Sequence, residues 1–253
     1  MSIEYAAASG VARITLNRPD KRNAITSEMM FALHDALQRA SDDSSVRVLL
    51  LRGAGKDFCA GLDLSEVLKS AQDSQSDAQA SLASARRLGD LYIAMRRHPK
   101  PIVAAVHGRA LGGGAGIATA SDLIIATESA QFGYPEVKLG FIPAIVATML
   151  RRAVNERQAM ELALTGEPLS ASRAHAIGLI NRVYPDSEFD TEVERYVAAL
   201  ADNSATAVSL SKRLLYETDG MSFEASIEAG VQANVKARIT DDFKRGVERF
   251  LKK

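Results

Sequence analysis

Ile102-Val103-Ala104-Ala105-Val106 runs into His107-Gly108-Arg109-Ala110-Leu111-Gly112-Gly113-Gly114-Ala115-Gly116, and a small-residue stretch from Ala115 to Ala120 leaves it. The first five residues are apolar without a break, the pattern of a strand covered on both faces. Ala115 to Ala120 reads as the start of a helix. Glycines between the two let backbone come close to a ligand or to a second backbone. A helix beginning there presents unpaired N–H groups, with the positive end of its dipole behind them. Such a junction suits negative charge, whether on a phosphate or on an oxyanion that forms during a reaction. Glycine-rich turns also serve plain strand–helix packing, so the glycines alone leave both uses open.

On the N-terminal side, Ile3–Ala8 and Val11–Leu16 read as a hairpin about Ser9-Gly10. Asn17 to Asn23 is a loop of turn formers. A helix follows, capped by Thr26 or Ser27, with an apolar stripe of Met30, Leu33, Leu37 and Ala40. Val46–Leu51 predicts a strand buried on both faces, followed by the Gly53–Lys56 turn and Phe58–Leu64. Leu68–Ala83 is rich in Ser, Gln, Asp and Ala, which predicts a mobile loop or frayed helix. Helix resumes near Leu82 and runs towards Met95, stopping before Pro99 and Pro101.

On the C-terminal side, Leu123–Ala126 is another short buried strand, and Gln131–Pro143 mixes loop with extended pieces. Helices follow at 144–152, 156–164 and 170–177, then a strand-like segment at 179–184. Further helices are predicted at 187–202, 205–217, 222–237 and 240–251. Ser222 caps the third of these, whose apolar line is Phe223, Ile227, Val231 and Val235. There is no fixed-period repeat. The chain is therefore α/β to about residue 140 and mostly α beyond.

Thirty-one basic and 31 acidic side chains cancel in 253 residues, which argues against a nucleic-acid binder driven by counterion release. It also gives no reason to expect a membrane surface as partner. Hydrophobic residues make up 47%, enough for a sizeable core. The single cysteine, Cys59, excludes an intrachain disulfide and fits a cytoplasmic location. Met1–Ala8 lacks the pattern of a secretory signal, and no apolar run is long enough to span a bilayer.

Three places could carry chemistry: the glycines at 112–116, Cys59-Ala60-Gly61-Leu62-Asp63, and Phe132-Gly133-Tyr134-Pro135-Glu136. Two loops that each aim one backbone N–H at the same oxygen make an oxyanion hole. A carboxylate beside it can move a proton next to the polarised carbonyl. Together they favour enolate chemistry. A rival from another class is a dinucleotide-binding βαβ unit with Glu128 on the ribose, although no G-x-G-x-x-G occurs within 108–121. Glu136 could instead be a surface acid paired with Lys138. Cys59 reads as a small buried hydrophobe and His107 as a structural histidine. The histidines at 34, 98, 107 and 175 show no metal-ligand spacing.

The chain resembles the enoyl-CoA hydratase/isomerase (crotonase) superfamily over nearly its whole length. Asn17-Arg18-Pro19-Asp20-Lys21-Arg22-Asn23-Ala24 is similar to the family's N-terminal signature, and Phe58–Leu64 to its first oxyanion loop. Gly112-Gly113-Gly114 is similar to the second oxyanion loop, and Phe132–Glu136 with Leu139–Pro143 to its acid motif. Phe250–Lys253 is similar to the family's ending. The resemblance implies a spiral of ββα units over 1–195 and a helical region over 196–253 used in assembly of a homotrimer or a dimer of trimers. It implies an acyl-CoA substrate, no metal and no further cofactor. The N–H groups of Leu62 and Gly113 would hold the thioester oxygen, and Glu136 would be the acid/base. Lys21 and Arg22 would lie near the phosphates of coenzyme A, with Ala24, Ala60, Asp63 and Leu64 also around the nucleotide. Tyr134, Phe141 and Ile142, with Leu62, Leu68 and Val146, would line the acyl pocket.

One departure matters. Family hydratases carry a second glutamate two residues after the glycine triplet, and that position here is Gly116. A single acid suits double-bond isomerisation. The stretch Pro143-Ala144-Ile145-Val146 instead resembles the branch with methylglutaconyl-CoA-type hydratases. Isomerisation is favoured, hydration stays open, and a catalytically degenerate member that binds coenzyme A or RNA is the reading from another class.

Overall fold

The computed structural model describes residues 1–69 and 76–252. Strands β1 (Ile3–Ala8) and β2 (Val11–Leu16) pair antiparallel with Ala8 opposite Val11. Ser9 and Gly10 both take positive φ, +52° and +79°, as a two-residue type I′ hairpin requires. Helix α1 (Ser27–Asp42) starts where the Thr26 hydroxyl accepts the Met29 N–H at 3.2 Å, and it buries Met29, Met30, Leu33, Ala36, Leu37 and Ala40. The chain continues as β3 (Val48–Gly53), α2 (Leu64–Lys69), α3 (Ser76–Arg97), β4 (Ile102–Val106), β5 (Arg109–Leu111) and α4 (Gly113–Ala120). Next come β6 (Leu123–Thr127), β7 (Gln131–Gly133), α5 (Ala144–Ala153), α6 (Glu156–Thr165), β8 (Leu169–Ser170), α7 (Ala171–Ala176) and β9 (Arg182–Tyr184). The last four helices are α8 (Phe189–Ala201), α9 (Ala205–Glu217), α10 (Phe223–Arg238) and α11 (Asp241–Leu251).

Six strands form the main sheet in the order β1-β2-β3-β4-β6-β9, parallel from β2 onwards. Its period of two divides the core. Leu49, Leu51, Ile102, Ala104, Val106, Ile124 and Ala126 join the larger cluster with α1, α3 and α4. Val48, Leu50, Val103, Ala105 and Ile125 face Phe189, Val193 and Val197 of α8. Both faces are therefore dry, which is why β3 and β4 are written as unbroken apolar runs.

A second sheet, β5-β7-β8, begins where the main strands end. Beyond its C-terminal end, β4 leads into β5 and then α4, and β6 leads into β7 and the following turn. β3 is followed by Cys59, which bridges Ala110 of β5 in parallel, and then by α2. This repeated strand–strand–helix unit separates the fold from a dinucleotide-binding βαβ. There the helix leaves the first strand directly, whereas here β5 intervenes and pairs outside the main sheet.

Two local expectations are corrected. Helix is already present from Ser76, ahead of the resumption expected near Leu82 and in keeping with the helical alternative for Leu68–Ala83, and Leu88, Leu91, Tyr92 and Met95 form the buried face of this long helix. Residues 70–75 of the expected loop lie outside the described residues. The strand expected at Val46–Leu51 is Val48–Gly53, shifted by its pairing with β2 and β4. Position 195/196 falls inside α8, whose Val193 and Val197 both pack on the sheet. The predicted line on α10 is present, but Phe223, Ile227, Val231 and Val235 are 76%, 54%, 49% and 54% exposed, so nothing in this chain covers it among the described residues. No described helix is long and apolar enough to cross a membrane.

Candidate active site

The C-terminal ends of β3, β4 and β6 deliver three loops to one place, where ligands of parallel sheets are generally bound. The loop after β3 is held on both sides. Cys59 N–H donates to Arg109 O at 3.0 Å, and Leu111 N–H donates to Cys59 O at 2.9 Å. Ile25 N–H donates to Gly61 O at 2.8 Å, and Asp63 N–H donates to Ile25 O at 2.9 Å. In that parallel bridge the N–H of the intervening Leu62 faces away from Ile25, and it has no acceptor among the described residues. The loop after β4 is tied by Gly112 N–H to Gly133 O and by Gly116 N–H to Gly112 O, both at 2.9 Å. Gly113 opens α4, so its N–H has no intrahelical acceptor, and it likewise has no other acceptor among the described residues.

These segments are close enough to touch. A Cβ on Gly61 would lie 3.6 Å from Gly113 N, and one on Gly113 would lie 3.4 Å from Leu62 Cγ. A Cβ on Gly112, which sits at φ +50°, would lie 3.2 Å from Glu136 Oε1. The approach is closer still at Gly114, where a Cβ would stand 2.3 Å from Cys59 O. The start of α4 is thus pressed against the first loop at a separation only glycine permits. Leu62, Gly113 and Glu136, three residues far apart in sequence, are brought together.

Glu136 lies in a 3-10 turn, Pro135–Leu139, that Pro135 initiates and Gly140 ends at φ +70°. Its backbone carbonyl accepts the Phe141 N–H at 2.9 Å. The side chain is half-buried, and Oε2 is buried with no hydrogen-bond partner among the described residues. Burial raises the carboxyl above the ordinary glutamate range, and its own backbone N–H opposes this only in part. Pairing with Lys138 does not occur. Lys138 bridges Glu167 at 2.7 Å instead. A buried carboxyl oxygen left without a partner is costly.

Lys21 and Arg22 are exposed and form no ion pair among the described residues. Ala24 O accepts Arg18 Nη1 at 2.6 Å, and Ala60 N–H donates to Arg22 O at 2.9 Å. The Asp63 carboxylate caps α2. It accepts the Ser65 hydroxyl at 2.6 Å and pairs with Arg18 at 3.0 Å, contacts that hold it below the usual range. That side chain is committed to the fold, and only its backbone is left for a nucleotide. Leu64 is exposed.

The acyl-pocket residues are not brought together. Tyr134 is a core residue with no exposed surface, its hydroxyl 3.1 Å from Thr119 Oγ1, and burial pushes it up to about 12. Phe141 and Ile142 stand mostly in solvent at the entry to α5. A cavity of about 110 Å3 does border Leu62, but Ile25, Met30, Val67, Ala80 and Arg87 line it. A wider cavity, about 840 Å3 between α3, α5 and α9, lies among Arg96, Arg152, Lys212 and Tyr216 and touches none of Leu62, Gly113 or Glu136.

Cys59 is fully buried and donates to Asn23 O at 3.1 Å, and burial raises its thiol to about 12, so it is no nucleophile. His107 is held by Gly55 O at 3.0 Å. Sequence reasoning overlooked two supports. Asn23, fully buried at φ +55°, donates to Ala54 O and Asp57 O at 2.8 and 2.7 Å and accepts the Arg18 N–H at 2.8 Å. Its place among turn formers, at a residue type that tolerates φ > 0, was the available signal. Asp57 and Arg109 form a bidentate pair, at 2.7 and 3.0 Å, joining the β3 and β4 loops. Nothing local announces a partner 52 residues away.

Comparison with known proteins finds relatives along nearly the whole chain. The pattern of the enoyl-CoA hydratase/isomerase family matches residues 6–253. An enoyl-CoA hydratase of Mycobacterium tuberculosis is 36% identical over 242 residues, covering 95% of this chain and 90% of that one. A 1,2-epoxyphenylacetyl-CoA isomerase of Escherichia coli is 32% identical over 245 residues, 96% and 93% of the two chains. The crystal structure of an enoyl-CoA hydratase from Mycobacterium smegmatis superposes with a TM-score of 0.93 at 31% identity, over 100% of this chain and 96% of that one. Paired loops at the ends of parallel strands, the strand–strand–helix spiral and a match along nearly the full length lead to one conclusion: this chain is an enzyme of the enoyl-CoA hydratase/isomerase family, with the crotonase-like fold.

Proposed function

We propose that this chain holds the thioester carbonyl of an acyl-CoA between the N–H groups of Leu62 and Gly113 and moves a proton beside it with Glu136. The reaction favoured is the shift of a double bond in an enoyl-CoA. The carboxylate takes a proton from C2 of a 3-enoyl thioester, and the electron pair delocalises onto the carbonyl oxygen. The two amides stabilise that charge, and the same carboxyl returns the proton to C4 as the double bond moves to C2–C3. The coenzyme A thioester is the substrate, and the chemistry calls for no further cofactor. The observation that carries this reading is the buried Oε2 of Glu136 beside two amides, all three without a partner among the described residues. The charge on Glu136 is quenched when it takes the C2 proton and restored when it gives the proton to C4, and burial, which favours the protonated form, suits a carboxyl that holds the proton between the two steps.

Lys21 and Arg22, exposed and free of ion pairs among the described residues, are the proposed partners of the coenzyme A phosphates. The uncovered apolar faces of α10 and α11, including Phe223, Ile227, Phe243 and Phe250, support self-association of this chain as a trimer or a dimer of trimers. Hydration is the second reading. A 2,3-dehydroadipyl-CoA hydratase of Escherichia coli, 32% identical over 245 residues, supports it. Gly116 supplies no carboxyl group for activating water, which weighs against it. Turnover of 2-enoyl and 3-enoyl CoAs in deuterated water tests the choice. Deuterium at C2 and C4 with a migrated double bond is expected. A 3-hydroxyacyl product as the main outcome would overturn isomerisation in favour of hydration.

A further inference from the structure

Tyr92 projects from α3 into the floor of the candidate site. It is 3% exposed, and its hydroxyl donates to Gly113 O at 3.0 Å. A Cβ placed on Gly116 would lie 2.1 Å from Tyr92 Oη and 2.7 Å from Cζ, so the phenol occupies the space over that residue of α4. Burial, reinforced by the Glu136 carboxylate, keeps the phenol protonated and a donor.

Gly112-Gly113-Gly114 is the stretch of this chain with the least backbone stiffness, yet it carries a proposed oxyanion donor. Such donors must be held to within about 0.5 Å of the productive geometry. Gly112 O is held by the Gly116 N–H, which anchors the peptide whose N–H belongs to Gly113. The following peptide is anchored by Tyr92 from a different helix. A clamp on each side leaves the Gly113 N–H one direction to point. The same ring leaves no room at Gly116 for a side chain or a water molecule, and a nucleophilic water would need both space and two or more polar partners.

We infer that Tyr92 is the positioning residue of the oxyanion site, clamping Gly113 through its carbonyl, and that its ring steers the enzyme to proton transfer by filling the space over Gly116 that a second acid or an attacking water would need. This rests on the proposed enolate chemistry. Exchange of the C2 protons of a saturated acyl-CoA in deuterated water tests it, with wild type, Tyr92→Phe and Glu136→Gln side by side. Tyr92→Phe keeps the volume and loses the clamp. Its kcat should fall about tenfold with KM within about twofold, a fraction of the ~10²–10³ lost when an oxyanion donor is removed outright. A kcat within twofold of wild type overturns the inference and leaves the parent reading intact. No exchange by wild type overturns both. Thermal unfolding tests the space without reference to activity. Gly116→Glu should melt well below wild type, and Gly116→Glu with Tyr92→Ala should recover part of that loss. Equal melting of the two overturns the steric half of the inference.

Discussion

Gly114→Ala tests the site where α4 presses on the first loop. The added methyl would stand 2.3 Å from Cys59 O, 2.7 Å from Cys59 Cβ and 2.8 Å from Cys59 C, where ordinary contact begins near 3.4 Å. The start of α4 must therefore retreat from the first loop by about 1.1 Å (3.4 − 2.3). Cys59 O cannot yield cheaply, because it already accepts the Leu111 N–H at 2.9 Å. Overpacking of this kind costs about 1–3 kcal/mol, and weakening that hydrogen bond adds about 1 kcal/mol. The sum, about 2–4 kcal/mol, lowers Tm by roughly 4–16 °C for a chain of this size. Retreat also carries the Gly113 N–H away from the Leu62 N–H, and a misplacement of ~1 Å costs about 10²-fold in rate. Thermal scans and deuterium exchange at C2 read the two effects separately. Gly89→Ala in α3 is the control. Its Cβ would meet only Ile145 Cγ2, at 4.0 Å, so it should stabilise by about 0.5–1 kcal/mol and leave exchange unchanged. If Gly114→Ala melts and exchanges like wild type, the close approach of the two loops is not what builds this site.

Glu136→Gln should abolish exchange while acyl-CoA binding, followed by calorimetry, persists; a residual rate above about 10% would remove Glu136 as the base, whose kind contributes ~10²–10⁴. The raised carboxyl also sets two pH dependences. The base is active when ionised, so kcat/KM should fall as pH drops through a value above the ordinary one near 4.5. The folded chain keeps this proton where the unfolded chain has lost it, so its stabilising contribution is complete below the ordinary value and lost as pH rises through the raised one. Glu136→Gln should therefore melt above wild type at neutral pH, with the difference closing in acid. Lys21→Ala with Arg22→Ala should raise KM for coenzyme A thioesters severalfold, more at low salt, and leave KM for pantetheine thioesters lacking those phosphates unchanged. Ile227→Asp with Val231→Asp on α10 should lower the mass in sedimentation experiments if the proposed trimer or dimer of trimers forms through this face; an unchanged mass would remove that face from the proposed interface.

The α/β order, most element boundaries, the hairpin at Ser9-Gly10 and the Thr26 and Ser222 caps were legible in the sequence, because each depends on side-chain periodicity or on a hydrogen bond within a few residues. So were Leu62, Gly113 and Glu136 as members of motifs. The fate of each polar side chain was not legible, because it depends on partners contributed from elsewhere in the chain. Lys138 chose Glu167 over Glu136, Asp63 was taken by Arg18 and Ser65, and Tyr134 turned inward to Thr119.

The sequence by itself determined which segments are strands and helices, and that glycines and one acid stand at the ends of buried strands. Only the tertiary structure decided that two amides are left unpaired among the described residues beside a desolvated carboxyl, and that Tyr92 fills the space over Gly116. Periodicity is a local property that packing then exploits. An unpaired donor, an orphaned oxygen or a filled space is a relation among segments tens of residues apart, and it comes into being when the sheet brings their ends together.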